Sequence, residues 1–324
     1  MIRLRQPAGQ PIMKENIEMS KTYQITGKKS GPRVLISAGV HGDEYEPMLS
    51  VLELIKLLPA TLQSGTVTLV PVVNTSAFRQ GTRRGKDGLD LARICPGNPQ
   101  GTESEIAAAA ISQLIRQADY YIDLHTGGCL YDIFPLAGYM LHASPAVLEK
   151  QQAMAKAFNL PVIWGTDSTP DGRTLSVARD ANVPAIYAEY GGSGVPQKKI
   201  VQAYTTGCIG VLKQLQMMGD AGTEEQATPY WVEDYTPDGG YLQGKMPAPV
   251  EGIFEPSVAL GAEVKKGELW GTITHPTDNI QQQVYADTNG IVLFLRTAPF
   301  VKTGDALGGI LPITKPGKLV INGK

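Results

Sequence analysis

Residues 34–58 read VLISAGVHGDEYEPMLSVLELIKLL, and this stretch decides the fold. VLISAGV at 34–40 is a short apolar run of the kind found in buried strands. From Glu46 to Leu58 the apolar residues recur at helical spacing, and Pro47 stands at an early helical position, where proline is tolerated. The stretch therefore predicts a strand followed by a helix, with HGDE in the loop between them.

Strand-like and helix-like segments continue to alternate as far as residue 220. The pattern predicts further strands at 66–73, 120–125, 161–165 and 185–190, and further helices at 103–117, 145–158, 174–181 and 196–218. Such alternation is typical of an α/β domain. We expect a mixed, largely parallel sheet flanked by helices.

The pattern changes after a polar linker, GDAGTEEQATP at 219–229. Turn signals then recur every few residues between short β-rich runs such as IVLFLR at 291–296, which favours an all-β module. The half-motifs that follow Gly252-Ile253 and Gly290-Ile291 are related, which suggests a barrel-sandwich-like module with internal symmetry. We predict two domains, an α/β domain at 1–222 and a C-terminal β domain at 223–324.

The composition excludes several classes of function. The formal net charge is −2 and the pI is about 6.1, without the basic surplus of a nucleic-acid binder. The apolar runs fall short of the ~18 residues that a membrane span needs. Three widely spaced cysteines, Cys95, Cys129 and Cys208, give no disulfide framework, and residues 1–16 lack the apolar core of a signal peptide. We expect a cytoplasmic protein that binds neither nucleic acid nor membrane.

The strongest chemical signal is His41-Gly42-Asp43-Glu44, directly after the strand at 34–40. Zinc binds imidazole nitrogen and carboxylate oxygen, and a catalytic site uses three protein ligands with water in the fourth position. His125 ends the strand at 120–125, and strand ends at one edge of a parallel sheet meet in space. His41, Glu44 and His125 are therefore candidate metal ligands, and Asp123, on the same side of its strand as His125, is a candidate partner that orients it.

The two remaining histidines are not expected in this site. His142 stands in a loop before a helix, and His275 precedes Pro276 in the β module. A histidine in such a setting is more often a surface residue than a ligand.

Glu189 in AIYAEYGGSG is the candidate base. It ends an apolar strand beside a glycine run, and a carboxylate in such a place is unusual without a partner. Burial would raise its pKa and suit it to proton transfer near neutral pH. A helix cap or an ion-pair partner is the structural alternative.

Arginines are the candidate substrate ligands. The loop at 79–101 contains Arg83, Arg84 and Arg93, and Arg179 stands ten residues before Glu189. A guanidinium can stabilise the oxyanion of amide hydrolysis, and a second one can bind a carboxylate in bidentate fashion. A solvated surface charge is the alternative for any one of them.

The chain resembles a known family through five motifs in order: HGDE, NTSAFRQGTRR, DGLDLARICPG, IDLHTGG and AEYGG. They look like those of the succinylglutamate desuccinylase/aspartoacylase family, which is related to the zinc carboxypeptidases. The resemblance covers residues 33–220. It implies one Zn²⁺ per chain held by His41, Glu44 and His125, and Glu189 as general base.

The resemblance also implies that Arg83 polarises the scissile carbonyl and that Arg93, Arg179 and Asp90 bind substrate, with Arg93 on a carboxylate. The family pattern Asp-Leu-Asn-Arg is altered here to Asp90-Leu91-Ala92-Arg93. The Asn of the family pattern can donate a hydrogen bond to the substrate, and Ala92 cannot. The loss of a hydrogen bond to a charged group costs ~1.5–3 kcal/mol of binding free energy. Our hypothesis is that Ala92 makes room for a bulkier or less charged group than those of the family's best-known substrates.

The β module resembles biotinyl and lipoyl carrier domains, but the segment at 275–290, where a carrier presents its lysine, contains none. In the resembled family this module packs over the catalytic domain and narrows access to the site. We therefore expect a zinc-dependent amidohydrolase that uses metal-bound water on a small N-acyl amino acid or N-acyl diamino acid, cleaving C–N bonds other than peptide bonds. A zinc carboxypeptidase acting on a short peptide and a catalytically inactive metal-binding protein are the alternatives. The family also suggests a homo-oligomer.

Overall fold

Strands and helices alternate as far as residue 214 in this computed structural model, which describes residues 21–219, 230–237, 239–240, 245–278, 280–313, 316–317 and 319–323. The elements in chain order are β1 (Tyr23–Thr26), β2 (Lys29–Ser37), α1 (Tyr45–Thr61), β3 (Ser64–Val70), α2 (Thr75–Gln80), a 3-10 helix (Leu91–Arg93), α3 (Glu103–Gln117), β4 (Tyr120–His125), β5 (Tyr131–Met140), α4 (Pro145–Phe158), β6 (Val162–Thr166), α5 (Thr174–Asp180), β7 (Ala185–Gly192) and α6 (Lys198–Gln214).

The main sheet has the strand order β1-β3-β2-β4-β7-β5-β6, and two later strands extend it beyond β6. Within this order only β1 against β3 and β5 against β7 are antiparallel. The predicted mixed, largely parallel sheet is therefore confirmed.

The sequence pattern does not predict β1 or β5. In β5 the reason is Pro135, because proline removes a ladder hydrogen bond and argues against a central strand. The register against β7 shifts between Ile133 and Leu136, so Pro135 lies at an irregularity where the ladder is already interrupted.

Both faces of the sheet are covered, which explains the continuous apolar run in β2. Ile36 packs in one cluster with Leu54 of α1 and Tyr204 of α6, whereas its neighbour Leu35 packs in a second cluster with Ile111 of α3. Among the described residues, no helix has the length and apolar content to cross a bilayer.

The C-terminal part is all β, as predicted. Its strands are β8 (Tyr230–Asp234), β9 (Gly252–Pro256), β10 (Glu263–Val264), β11 (Leu269–His275), β12 (Ile280–Tyr285), β13 (Gly290–Arg296), β14 (Phe300–Val301), β15 (Gly308–Leu311) and β16 (Val320–Asn322). The order β12-β11-β9-β14 forms a separate antiparallel sheet.

The two parts share a sheet. β8 and β16 extend the main sheet beyond β6, and β13 pairs with the start of β5. The predicted boundary between residues 222 and 223 lies outside the described residues and stays a prediction.

Candidate metal centre and substrate pocket

Three neighbouring strands bring the predicted metal ligands and base together. β2 leads into the loop that contains His41 and Glu44, and Glu44 is the residue before α1. β4 ends at His125, and its register pairs His125 with Glu189 of β7. Because these strands are parallel, their carboxyl ends meet at one edge of the sheet, where α/β proteins place their sites.

His41, Glu44 and His125 are all buried, and their ligand atoms lie within 4.8 Å of one another. Glu44 stands between the two imidazoles, with Oε1 at 2.7 Å from His41 Nδ1 and Oε2 at 3.0 Å from His125 Nδ1. Two imidazole nitrogens and one carboxylate form a donor set that suits a catalytic divalent cation such as zinc. The residues therefore fit a metal ion.

The outer nitrogen of each imidazole is held by a carboxylate. Nε2 of His41 is 3.1 Å from Asp90 Oδ1, and Nε2 of His125 is 3.1 Å from Asp123 Oδ2. Asp123 is held in turn by the hydroxyl of Thr174. This is the way in which proteins orient metal-ligating histidines so that the other ring nitrogen faces the ion.

Asp90, a predicted substrate ligand, contacts His41 and Arg83 in the structure. Its Oδ1 also accepts from the backbone N–H of Ala92, and its Oδ2 accepts from Arg83 Nε at 2.9 Å. Asp90 is not among the described residues that line the pocket discussed below, and its contacts are with His41, Arg83 and the backbone of Ala92.

The charges of the cluster are interdependent. Burial opposes ionisation of Glu44, but the neighbouring His41 and His125 outweigh it and lower the pKa of this carboxyl. Burial likewise disfavours protonated His125, but Asp123 and Glu44 raise the pKa of its imidazole. The site is thus built to hold a positive charge between carboxylates.

Glu189 is half-buried, and its Oε2 is buried without a hydrogen-bond partner among the described residues. Burial raises its pKa to about 7; the nearby His125 opposes this shift, and Glu44 adds to it. A carboxyl in this range can both accept and return a proton near neutral pH.

A pocket opens beside the cluster between the sheet and the start of α5. Besides the three candidate ligands and Glu189, its described lining includes a cationic set, Arg83, Arg93 and Arg173, and a less polar set, Ala92, Tyr131, Ile133, Leu136, Met140, Trp164, Thr166, Leu175, Tyr187 and Phe294. Phe294 belongs to β13, so the C-terminal part contributes to the wall.

Of the loop arginines singled out in the sequence, Arg83 and Arg93 line the pocket and Arg84 is not among its described lining residues. Arg83 is held by Asp90 and reaches within 3.5 Å of His41 Nδ1, beside the candidate metal position. Arg93 follows Ala92 at the pocket rim and donates from Nη1 to the carbonyl of Ala92 at 2.7 Å. Ala92 itself is buried in the lining, so the position that differs from the family pattern faces the pocket.

Arg179 does not reach the pocket. Its guanidinium pairs with Asp171 at 2.6 Å and Asp180 at 2.8 Å, and also donates to the carbonyl of Ser168. Arg173, which the sequence pattern does not single out, lines the pocket instead. Its Nε is buried without a hydrogen-bond partner within the described chain. The feature of the sequence that could have indicated Arg173 is its position directly before the helix α5.

The two histidines left out of the predicted ligand set, His142 and His275, are not in the ligand cluster found among the described residues. His142 accepts from the backbone N–H of Ser144, and its other ring nitrogen is 3.2 Å from the carbonyl of Arg179. His275 lies on β11 and pairs with Asp278. Both have local partners that account for them.

Comparisons with known proteins point to one family. The family model of the succinylglutamate desuccinylase/aspartoacylase catalytic domain matches residues 30–215. A curated relative, the N-alpha-acetyl-L-2,4-diaminobutyric acid deacetylase of Halomonas elongata, is 27% identical over 301 residues, which cover 90% of this chain and 85% of the relative.

Solved structures agree. A succinylglutamate desuccinylase/aspartoacylase from Rhodobacter sphaeroides is 30% identical with a TM-score of 0.77, over 89% of this chain and 88% of the other. The product-bound ectoine utilization protein EutE (DoeB) from Ruegeria pomeroyi is 26% identical with a TM-score of 0.80, over 89% and 87%. Because the family model spans more than half of its length, this chain belongs to the succinylglutamate desuccinylase/aspartoacylase family.

Proposed function

We propose that this protein is a zinc-dependent hydrolase that cleaves the amide bond of a small N-acyl amino acid, with one Zn²⁺ held by His41, Glu44 and His125. The observation that supports this most is the convergence of those ligands with Glu189 and Arg83 at one pocket. Family membership supports the reaction class. A cytoplasmic location and a homo-oligomeric state remain predictions.

A bound zinc ion supplies a Lewis acid and lowers the pKa of water in its coordination sphere. The side chains of the chain carry out the remaining steps. Oε2 of Glu189 accepts the proton of the attacking water and later delivers it to the leaving amine nitrogen. The Arg83 guanidinium, positioned by Asp90, donates to the carbonyl oxygen as negative charge develops there.

Substrate orientation falls to the other arginines. We assign the α-carboxylate of the substrate to Arg93 and Arg173, which both line the pocket. The backbone of Gly172 packs against that of Arg93, so these two arginines approach from adjoining segments. Phe294 of β13 helps to enclose the same space, which supports a small substrate rather than a folded protein.

The test combines metal analysis of the purified protein with amine release from a panel of N-acyl amino acids, with and without a chelator. We expect about one zinc per chain and release that the chelator abolishes. Glu189→Gln should lower kcat about 10²–10⁴-fold because the proton acceptor is lost, while the zinc content stays the same.

Glu149→Gln, an exposed glutamate of α4, serves as the control and should retain full activity. An absence of zinc even after reconstitution would exclude the proposed chemistry. Unchanged turnover in Glu189→Gln would favour another base, and zinc binding without turnover of any compound would favour a peptide substrate or an inactive metal-binding protein.

A further inference from the structure

The floor of the pocket is one face of three neighbouring strands. The register pairs Gly138 of β5 with Tyr187 of β7 on one side and with Trp164 of β6 on the other. Residues paired across neighbouring strands point to the same face, as do residues two apart along one strand. Glu189 lies two residues beyond Tyr187 on β7, so the row formed by Tyr187, Gly138 and Trp164 lies about 7 Å from Glu189 along the strand direction.

Gly138 makes the row continuous. A Cβ atom at this position would collide with the far end of the Tyr187 ring, so that ring extends across Gly138 towards Trp164. We call Tyr187, Gly138 and Trp164 the aromatic floor. Met140 and Leu175 line the pocket beside it and add apolar side chains to its boundary.

The charges around this floor have one sign. Among the lining residues that the structure describes, the carboxylates are Glu44 and Glu189, and both belong to the reaction site. Apart from the imidazoles of the candidate metal ligands, the remaining charged groups there are guanidinium groups. A substrate ammonium on the floor would find no free carboxylate in the described lining, and burying an unpaired charge is strongly unfavourable.

Of the two neutral polar groups of the floor, the Tyr187 hydroxyl is hydrogen-bonded to Thr166, and the group without a partner, the Trp164 N–H, is a donor. Nε1 of Trp164 is buried and has no hydrogen-bond partner among the described residues. An N–H group can bind an acceptor, but it repels an ammonium. The guanidinium groups and the unpartnered N–H of Trp164 therefore both disfavour an ammonium group on the floor.

The amine half of the substrate reaches this floor because its side chain and its α-carboxylate leave the same carbon. With the carboxylate at Arg93 and Arg173, the side chain enters the space between Leu175 and the aromatic floor. We infer that the amine half is an amino acid with an uncharged, largely apolar side chain and without a second amino group. This inference rests on the proposed hydrolysis, and it separates the chain from the Halomonas relative, whose name specifies a diamino acid.

Two compounds of equal length test it: N-acetylnorvaline and Nα-acetyl-2,4-diaminobutyrate, whose side chains end in a methyl and in an ammonium group. With zinc-loaded protein we expect kcat/KM to be at least about tenfold higher for N-acetylnorvaline. The reason is that burying an unpaired ammonium group costs more free energy than burying a methyl group of the same size. Equal values, or a preference for the diaminobutyrate, would overturn the inference.

Calorimetric binding of the same two compounds to zinc-loaded Glu189→Gln protein separates the inference from the proposed function. Tighter binding of N-acetylnorvaline supports the apolar floor even if the wild-type protein turns over neither compound, a result that would count against the proposed hydrolysis alone. Equal binding, or binding of neither, overturns the inference.

A matched pair of variants locates the selectivity. Leu175→Glu and Leu175→Gln are similar in size and differ in charge. Relative to Leu175→Gln, Leu175→Glu should shift the kcat/KM ratio of the two compounds about tenfold towards the diaminobutyrate, because the new carboxylate can pair with the ammonium. The same ratio in both variants would contradict the placement of the side chain. If either variant fails to fold, the wild-type comparison decides.

Discussion

The two ends of the pocket differ in how their polar atoms are partnered. At the metal end, carboxylates hold both ring nitrogens of His41 and of His125, and the atom left without a partner in the described chain is an acceptor, Oε2 of Glu189. At the other end, Trp164 Nε1 and Arg173 Nε are buried without partners in the described part of the chain. Buried polar atoms nearly always have hydrogen-bond partners. We therefore expect the substrate to supply acceptor atoms for these two N–H donors. On this basis we expect the metal end to be organised for the reaction and the far end to select the substrate.

The largest effect is expected on zinc affinity, when a candidate metal ligand is removed. His125→Ala removes one of three ligands and should lower zinc affinity by more than about 100-fold, beyond the 10–100-fold typical of losing an outer partner. Zinc content after dialysis measures this. His142→Ala, which changes a histidine outside the cluster, should keep its zinc, and full zinc content in His125→Ala would contradict the ligand assignment.

The next effect separates the two arginines of the α5 segment. Arg173→Gln should raise KM about 10–100-fold, because a hydrogen bond to a charged group contributes about 1.5–3 kcal/mol, and should change kcat less. Arg179→Gln should leave KM unchanged, since the partners of Arg179 are Asp171 and Asp180. Steady-state kinetics of the two variants decide, and the reverse pattern would restore Arg179 as the substrate ligand.

The smallest effect sharpens the role of the unpartnered indole. Trp164→Phe keeps an aromatic ring but removes Nε1, and should raise KM about fivefold if that group donates to the substrate, at about 1 kcal/mol per neutral hydrogen bond. Trp270→Phe is the control, because Trp270 Nε1 is also unpartnered within the described chain but lies in the C-terminal core. Equal KM changes in both variants would indicate a packing effect instead.

The metal end was accessible from sequence because short-range patterns define it. HGDE follows one apolar strand, and Asp123 and His125 end another. Once the strands are taken as parallel neighbours, their ends must meet. The outer partner of His125 also follows, since residues two apart on a strand share a face.

The far end was not accessible, because it depends on β5 and on the local start of α5. Pro135 argues against a strand at the position of β5, so the sequence pattern does not predict this strand. Without β5, neither Gly138 nor the aromatic floor can be placed. Spacing from Glu189 favours Arg179, but spacing does not give the direction of a side chain. In the structure Arg173 is the residue before α5, at the pocket, and Arg179 lies in the last turn of that helix.

The pairing of β13 with β5 has a consequence for protein engineering. Phe294 of β13 is in register with Ile133 of β5, and the same strand β5 provides Gly138 further along. The C-terminal part thus cannot be exchanged as an independent accessory. A chimera that takes it from another member of the family has to take β5 as well, because otherwise two strands with unmatched side chains meet in the wall of the pocket.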